Sequence, residues 1–257
     1  TAEFGFGMDG LLRSRAGALS GILNGVDPAV WNPATDLRLG TRYDVSDTGG
    51  KKQCKAVLRK ELGLAPGDGP LFGVVSRLTP QKGLDLVLEA LPDLVAAGGQ
   101  LVVLGAGDGA LETGFRTAAA QFPGALGLRL GYDEDLAHRM IAGSDIILVP
   151  SRFEPCGLTQ MYGLAYGALP LVRRVGGLAD TVCDADADAC ARGMATGFVF
   201  DEADAAGLRG ALNRAFALWR QPAAWSRLVD TAMRKDFSWA PAARQYLDLY
   251  RELRPLA

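Results

Sequence analysis

Two short stretches of this 257-residue sequence carry side chains suited to holding a diphosphate. In SRLTPQKG (76–83), Arg77 and Lys82 precede Gly83, where a helix is expected to start. Two cations above a helix N-terminus hold a diphosphate because the positive end of the dipole and the unpaired N–H groups add to the side-chain charge. The blander reading pairs Arg77 with a surface carboxylate and leaves Lys82 solvated. In PSRFEPCGLTQ (150–160), the carboxylate Glu154 stands just ahead of a helix whose first residues are expected to include Gly157, with Cys156, Leu158 and Thr159 around it. A glycine there lets a ligand approach the N–H groups closely. Phosphates at that N-terminus with a carboxylate beside them suit a sugar nucleotide, the helix holding the phosphates and Glu154 accepting hydrogen bonds from sugar hydroxyls. The alternative is a capping glutamate beside a buried, inert Cys156.

Other motifs point to less. GAGDGA (105–110) matches the dinucleotide fingerprint G-x-G-x-x-G/A after a strand and before a helix. That fingerprint belongs to a first βα unit with an acidic residue ending the next strand, whereas here it falls in the second unit and the next strand ends in Gly131 and Tyr132. Its glycines are read as a turn, or as room for a nucleotide to approach the backbone. No G-x-x-x-x-G-K-[ST] stretch exists, which excludes a P-loop NTPase. DADAD (184–188) opens like a calcium loop, but the sixth and twelfth positions are Ala189 and Ala195 instead of Gly and Glu, so a solvated acidic loop is expected. The single histidine, His138, rules out a multi-histidine metal site and leaves a Ser-His-Asp hydrolase resting on one residue inside a helical pattern. It is read as a helix residue whose one functional opening is contact with a ligand at the neighbouring loop. No metal site and no cofactor are expected. Lys and Arg number 27 against 29 Asp and Glu, a formal charge of −2 that gives no global field for nucleic acid or an anionic membrane. No apolar run reaches the roughly 18 to 20 residues of a membrane span. Cys54, Cys156, Cys183 and Cys190 form no C-x-x-C pair, and a chain of this size does not need disulfides, which favours a reducing compartment.

The elements that must position these loops follow from periodicity. Apolar runs of about five residues, LFGVVS (71–76), LVVLG (101–105), LGLRLG (126–131), DIILVP (145–150), LPLVR (169–173) and TGFVF (196–200), alternate with helix-period segments such as 84–97 and 133–142. Short, nearly all-apolar strands between helices require a parallel sheet covered on both faces, so the fold class is α/β and doubly wound. Ligands of such sheets sit beyond the carboxyl ends of the strands, where both loops fall, together with GYDEDL (131–136) and VGGLADT (175–181). At the start, Met8, Leu11, Leu12, Ala16 and Leu19 mark a short amphipathic helix, Ile22–Leu23 a brief strand, and the turn residues up to Pro33 a linker or hinge. A basic helix is expected over 51–62, its Lys51, Lys52, Lys55, Arg59 and Lys60 read as a solvated face. Three more helices are expected over 203–218, 223–235 and 240–253. The last carries Tyr246, Leu249, Tyr250 and Leu253 on one face in need of a docking surface.

SRFEPCGLTQMYGLAYG, together with SRLTPQKGLD, VLGAGD, VGGLADTV and the early GILNGVDPAVWNPATD, resembles the carboxyl-terminal half of the bacterial glycogen synthase and plant starch synthase family, in the right order over nearly the whole chain. The resemblance implies a Rossmann-like domain, the C-terminal half of a two-Rossmann-domain (GT-B) enzyme. Such an enzyme transfers glucose from ADP-glucose to the non-reducing end of an α-1,4-glucan with retention. It implies that Arg77 and Lys82 bind the donor phosphates, that Glu154 contacts the transferred glucose, and that Tyr132 lies against the adenine. Backbone groups of Cys156, Gly157, Leu158 and Thr159 would serve phosphate and sugar, with Gly176 and Gly177 also binding the nucleotide sugar. Broader relatives place a second Glu eight positions after the first, where this chain has Tyr162; Val175 stands where many members carry Thr. The family's amino-terminal K-x-G-G-L loop and catalytic-region histidine have no counterpart here, and the sequence opens on Thr1. The resemblance therefore divides the chain into the terminal helix and hinge of a missing N-terminal domain (1–23), a linker and lead-in helix (24–65), the nucleotide-sugar-binding domain (66–238) and a C-terminal helix that would pack on the missing domain (239–257). The implied partners are ADP-glucose, an α-1,4-glucan and that N-terminal domain, with no nucleic acid and no membrane. The implied setting is the cytoplasm, or the plastid stroma for a plant starch synthase. Two rivals stay open: a retaining glycosyltransferase using another nucleotide sugar, and a nucleotide-sugar or glucan-binding module acting through a partner.

Overall fold

A computed structural model describes residue 2 and residues 5–253, and the chain divides into two compact units, Thr1–Gly25 with Phe237–Ala257 and Val26–Asp236. The smaller unit opens with α1 (Asp9–Ser14) and a 3-10 turn (Ala16–Ala18), neither of which buries a residue. The single helix expected over this stretch is thus broken: Gly10 and Gly17 lower its propensity, and so short a helix with no buried face gains little from tertiary packing. Ile22 and Leu23 join no strand.

In the larger unit, α2 (Gly49–Glu61) leads into β1 (Leu71–Val75), followed by α3 (Leu84–Ala96), β2 (Gln100–Gly105), α4 (Gly109–Gln121), β3 (Leu126–Leu130), α5 (Glu134–Gly143) and β4 (Ile146–Val149). The second half continues with α6 (Thr159–Ala165), β5 (Leu169–Arg173), α7 (Gly176–Thr181), α8 (Ala187–Ala191), β6 (Phe198–Phe200), α9 (Ala205–Trp219) and α10 (Pro222–Met233). The chain then returns to the smaller unit in α11 (Trp239–Leu253). All neighbouring strands pair in parallel, in the order β3-β2-β1-β4-β5-β6. Phe72, Val74, Leu101, Val103, Ile146, Ile147, Leu169 and Leu171 are fully buried, because helices cover both faces and successive side chains alternate between them. Asp108, Asp133 and Asp204 cap α4, α5 and α9 by accepting backbone N–H groups of the first turn. No helix among the described residues is long and apolar enough to cross a membrane. On α11 the expected apolar face is exposed at Tyr246, Tyr250 and Leu253.

Residues 26–48, within the segment read as linker and lead-in, form a strap held in the larger unit. Leu39 and Tyr43 join a core cluster with Ile141, Ile147 and Tyr166. The buried Asp36 accepts from His138 Nδ1 at 2.7 Å, from the Tyr166 hydroxyl at 2.7 Å and from the Arg38 N–H at 2.9 Å. Burial works to raise the Asp36 carboxyl, but the hydrogen bonds from Tyr166, the Arg38 backbone and His138 outweigh it and hold it below the ordinary value. Trp31 lies between His138 and Tyr162, stacked on each with ring centroids 3.7 Å apart. The basic face of α2 is solvated as expected at Lys52 and Lys60 but not at Lys51, Lys55 and Arg59. Lys51 is buried, and its Nζ donates to the carbonyls of Ala142 (3.0 Å), Ser144 (2.7 Å) and Tyr166 (3.1 Å), closing the C-terminal ends of α5 and α6 at once. Lys55 pairs with Asp145 at 2.6 Å, and Arg59 donates to Gln100 and the Gly69 carbonyl.

Candidate functional site

The strand order reverses between β1 and β4, so the loops that leave their carboxyl ends depart to opposite faces of the sheet and open a crevice between them. A cavity of about 280 Å³ lies there. Its floor is apolar, from Val75, Leu84, Leu148 and Val149, and its polar groups come from Ser76, Lys82, Ser151, Glu154, Thr159 and Gln160. After β1, the chain makes a 3-10 turn (Pro80–Lys82) that ends on Gly83 in the left-handed region, φ 66°. A Cβ at Gly83 would lie 2.2 Å from the Pro150 carbonyl, so only glycine lets this loop close against the end of β4. Polar ties then fix the two loops to each other. Gln81 Nε2 donates to the Phe153 carbonyl, and the Arg152 guanidinium reaches the Pro80 carbonyl and both carboxylate oxygens of Asp85 at 2.7 and 2.6 Å. That fork-to-fork bond holds the Asp85 carboxyl below its usual value despite partial burial.

At the mouth, Lys82 Nζ pairs in a very short contact with Glu154 Oε2, and Ser151 Oγ donates to the same oxygen at 3.0 Å. Glu154 Oε1 accepts from no group among the described residues. The helix expected to open at Gly157 starts two residues later, at Thr159, because Gly157 sits at φ 73°, a left-handed conformation outside any right-handed helix. What the loop offers instead is free backbone: the N–H groups of Gly157 and Leu158 find no acceptor among the described residues.

Of the residues expected at the site, Lys82, Glu154, Gly157, Leu158 and Thr159 line the cavity together. Arg77 follows the lining residue Ser76; its guanidinium is exposed and has no partner among the described residues. Tyr132 is 88% exposed after β3, and its hydroxyl donates to Glu134, whose carboxylate pushes the phenol up. Cys156 is half-buried beside the wall. Gly176 and Gly177 lie behind it: a Cβ there would fall 2.1 Å from the Glu154 carbonyl and 2.2 Å from that of Cys156, and the Gly177 N–H donates to the Glu154 carbonyl. These glycines let α7 press directly on the back of the 154–157 loop. His138 is sealed in the strap network and offers no contact to a ligand. Tyr162 stacks on Trp31. GAGDGA makes a capped turn, Asp108 accepting from Ala110 and Leu111 while Glu112 accepts from Gly107. In DADAD, Asp184 binds Arg214 at 2.9 Å and Asp186 caps α8, so only part of that loop is solvated. Ser151 and Gln160 were not singled out from the sequence. Both stand in the PSRFEPCGLTQ segment, but a serine and a glutamine carry no spacing signal of their own.

Residues 58–228 match the family described as glycosyl transferases group 1. The chain belongs to this family. Within the group 1 glycosyltransferases, it is 56% identical over 254 residues to a glycogen synthase of Serratia proteamaculans, covering 98% of this chain and 53% of that protein. It is 57% identical over 253 residues to a glycogen synthase of Yersinia enterocolitica, covering 97% of this chain and 53% of that protein. The chain thus spans about half the length of the curated relatives it matches. Among solved structures, the catalytic domain of Arabidopsis thaliana starch synthase IV, bound to ADP and acarbose, matches with a TM-score of 0.92 and 41% identity, over 98% of this chain and 52% of that one. The likeness expected from the motifs therefore extends over almost the whole chain, and the parallel sheet with helices on both faces is the Rossmann-like architecture it implied.

Proposed function

We propose that this group 1 glycosyltransferase chain forms the donor-binding side of a glucosyltransferase of the glycogen and starch synthase kind. The reaction moves glucose from ADP-glucose to the non-reducing end of an α-1,4-glucan with retention. The observation that carries the reading is the cavity at the β1/β4 reversal, where one cation, one half-engaged carboxylate and two unpartnered N–H groups converge. The similarity to glycogen synthases and to a starch synthase bound to ADP supports the choice of nucleotide and sugar.

In this reading, the bond between the glucosyl carbon and the diphosphate breaks with its electron pair going to ADP. Positive charge grows on the carbon while negative charge grows on the phosphates. Lys82, the exposed Arg77 and the N–H groups of Gly157 and Leu158 meet the phosphates, with Thr159 beside them. Glu154 then turns its unused Oε1 to the hydroxyls of the glucose. Tyr132 offers an exposed ring to the adenine, and Gly176 and Gly177 set the loop from behind, with Cys156 between. The new bond forms on the face from which ADP departs, the acceptor hydroxyl giving up its proton to the departing diphosphate oxygen as it attacks. Binding needs only these contacts, whereas transfer needs an aligned acceptor and exclusion of water. The chain alone is therefore expected to bind ADP and to extend no glucan, and a cytoplasmic setting goes with the likeness to bacterial synthases.

The test is Glu154→Gln in the full-length enzyme. ADP affinity should stay within about threefold while kcat falls by roughly a hundredfold or more, because the carboxylate matters as charge develops. A raised donor KM with unchanged kcat would remove Glu154 from the reacting sugar.

A further inference from the structure

Gln160 is fully buried near the start of α6 and lines the cavity. The two hydrogens of its amide nitrogen are shared among three acceptors, the Gly157 carbonyl at 2.9 Å, the Cys156 carbonyl at 3.1 Å and Thr181 Oγ1 at 3.2 Å. Thr181 in turn donates to the Gly177 carbonyl at 2.6 Å, so the amide ties the 156–157 loop to the body of α7. The consequence lies in peptide geometry. A trans peptide points its C=O and N–H in opposite directions. Holding the carbonyls of Cys156 and Gly157 on one side therefore turns the N–H groups of Gly157 and Leu158 to the other, and neither of these finds an acceptor among the described residues. Without that tie, either peptide could rotate and present a carbonyl lone pair to the cavity, the wrong sign for a phosphate.

A second observation concerns cost. Gln160 Oε1 is buried with no donor among the described residues, and it faces Gly157 so closely that a Cβ there would lie 2.6 Å away. A buried acceptor without a partner destabilises the fold, and a methionine of similar size would avoid that penalty. The glutamine keeps its unsatisfied oxygen in order to keep its nitrogen.

We propose that Gln160 is the positioning residue for anion binding in this cavity: it holds two loop carbonyls inward so that the Gly157 and Leu158 N–H groups stay turned to the leaving diphosphate. The proposal rests on the reading of the cavity as a nucleoside-diphosphate site. Calorimetric titration of the 257-residue chain with ADP and AMP tests it, using Gln160→Met and Gln160→Glu beside the unaltered protein. Gln160→Met should bind ADP at least tenfold more weakly, with a smaller loss for AMP. Gln160→Glu should be similarly weak at pH 8 and recover toward the unaltered protein, compared at each pH, as the pH is lowered to 5.5. A protonated carboxyl there regains a donor, and burial beside two carbonyls favours that form. If the unaltered chain binds no ADP, the cavity reading itself falls, and the proposal with it. If it binds ADP and both variants bind within threefold of it, the cavity reading stands and Gln160 has no positioning role. Should Gln160→Met not fold cooperatively, the pH arm decides alone: a loss in Gln160→Glu that is equal for ADP and AMP and unmoved by pH marks a merely structural residue and overturns the proposal.

Discussion

Asp36 and Glu154 are both carboxylates with little exposure and a basic partner, yet they sit in opposite kinds of network. Around Asp36, both oxygens are engaged, by His138, Tyr166 and the Arg38 N–H, and the side chains of Asp36 and His138 are wholly out of solvent. Around Glu154, one oxygen takes Lys82 and Ser151 while the other takes nothing among the described residues, and the Lys82 side chain keeps 19% of its surface in water. The Asp36 carboxylate is thus fully engaged, although His138 Nε2 finds no partner among the described residues, and its energy goes into holding the 26–48 strap. The Glu154 carboxylate is fully engaged only when something else enters. A buried carboxylate with both oxygens bonded fixes structure, whereas a half-bonded one at a crevice keeps hydrogen-bonding capacity in reserve.

Breaking each network separately sharpens the contrast. Asp36→Ala should cost about 3–5 kcal/mol of folding stability, since it leaves the buried His138 and Tyr166 polar atoms without their partner. Glu154→Ala should cost about 1 kcal/mol or less, because Lys82 can turn to water. Equal losses in urea denaturation would erase the distinction. The next effect is on ligand binding: Lys82→Ala should weaken ADP binding by about 1.5–3 kcal/mol, the range of a charge-assisted bond, and AMP binding by less. Calorimetry showing the same loss for both nucleotides would place this cation away from the second phosphate. The smallest effect is on acid stability. Because the folded state holds the Asp36 carboxyl low, the unfolded chain binds the proton more readily, and the stabilisation is present above about pH 4 and fades as pH falls through the folded value. Asp36→Asn lacks that dependence, so its stability deficit against the unaltered protein should narrow between pH 5 and pH 3. A deficit that stayed constant would show that the charge of Asp36 contributes nothing.

The strands were legible because their residues announce burial on both faces. LFGVVS, LVVLG and DIILVP can be little else than inner strands of a covered sheet, and all six runs became strands. The loops bearing Lys82 and Glu154 were legible because a doubly wound sheet puts its ligands at strand ends. The strap was not. Asp36 and His138 are 102 positions apart, and no local period connects them. Lys51 looked like one more solvated cation, since the three carbonyls it closes belong to the ends of two other helices and converge only in the folded chain. The helix start at Gly157 was misplaced for a backbone reason: glycine is compatible with a helix N-terminus, and only the observed φ of 73° shows that the turn comes first. Gln160 escaped notice because its role depends on which peptides fold back beneath it.

The reversal of strand order between β1 and β4 also bears on how the chain reaches its folded form. Every other adjacent pair of strands joins residues 23 to 29 positions apart, as Ile146 with Leu169 or Leu71 with Gln100, whereas Phe72 meets Ile146 across 74. Closing that longer loop costs roughly 1 kcal/mol more in chain entropy, and contacts so distant in sequence slow folding. The β1-β2-β3 and β4-β5-β6 halves can each assemble from near neighbours; the seam between them cannot. The crevice lies across that seam, so a molecule bound there touches both halves and stabilises only a chain in which they have already joined.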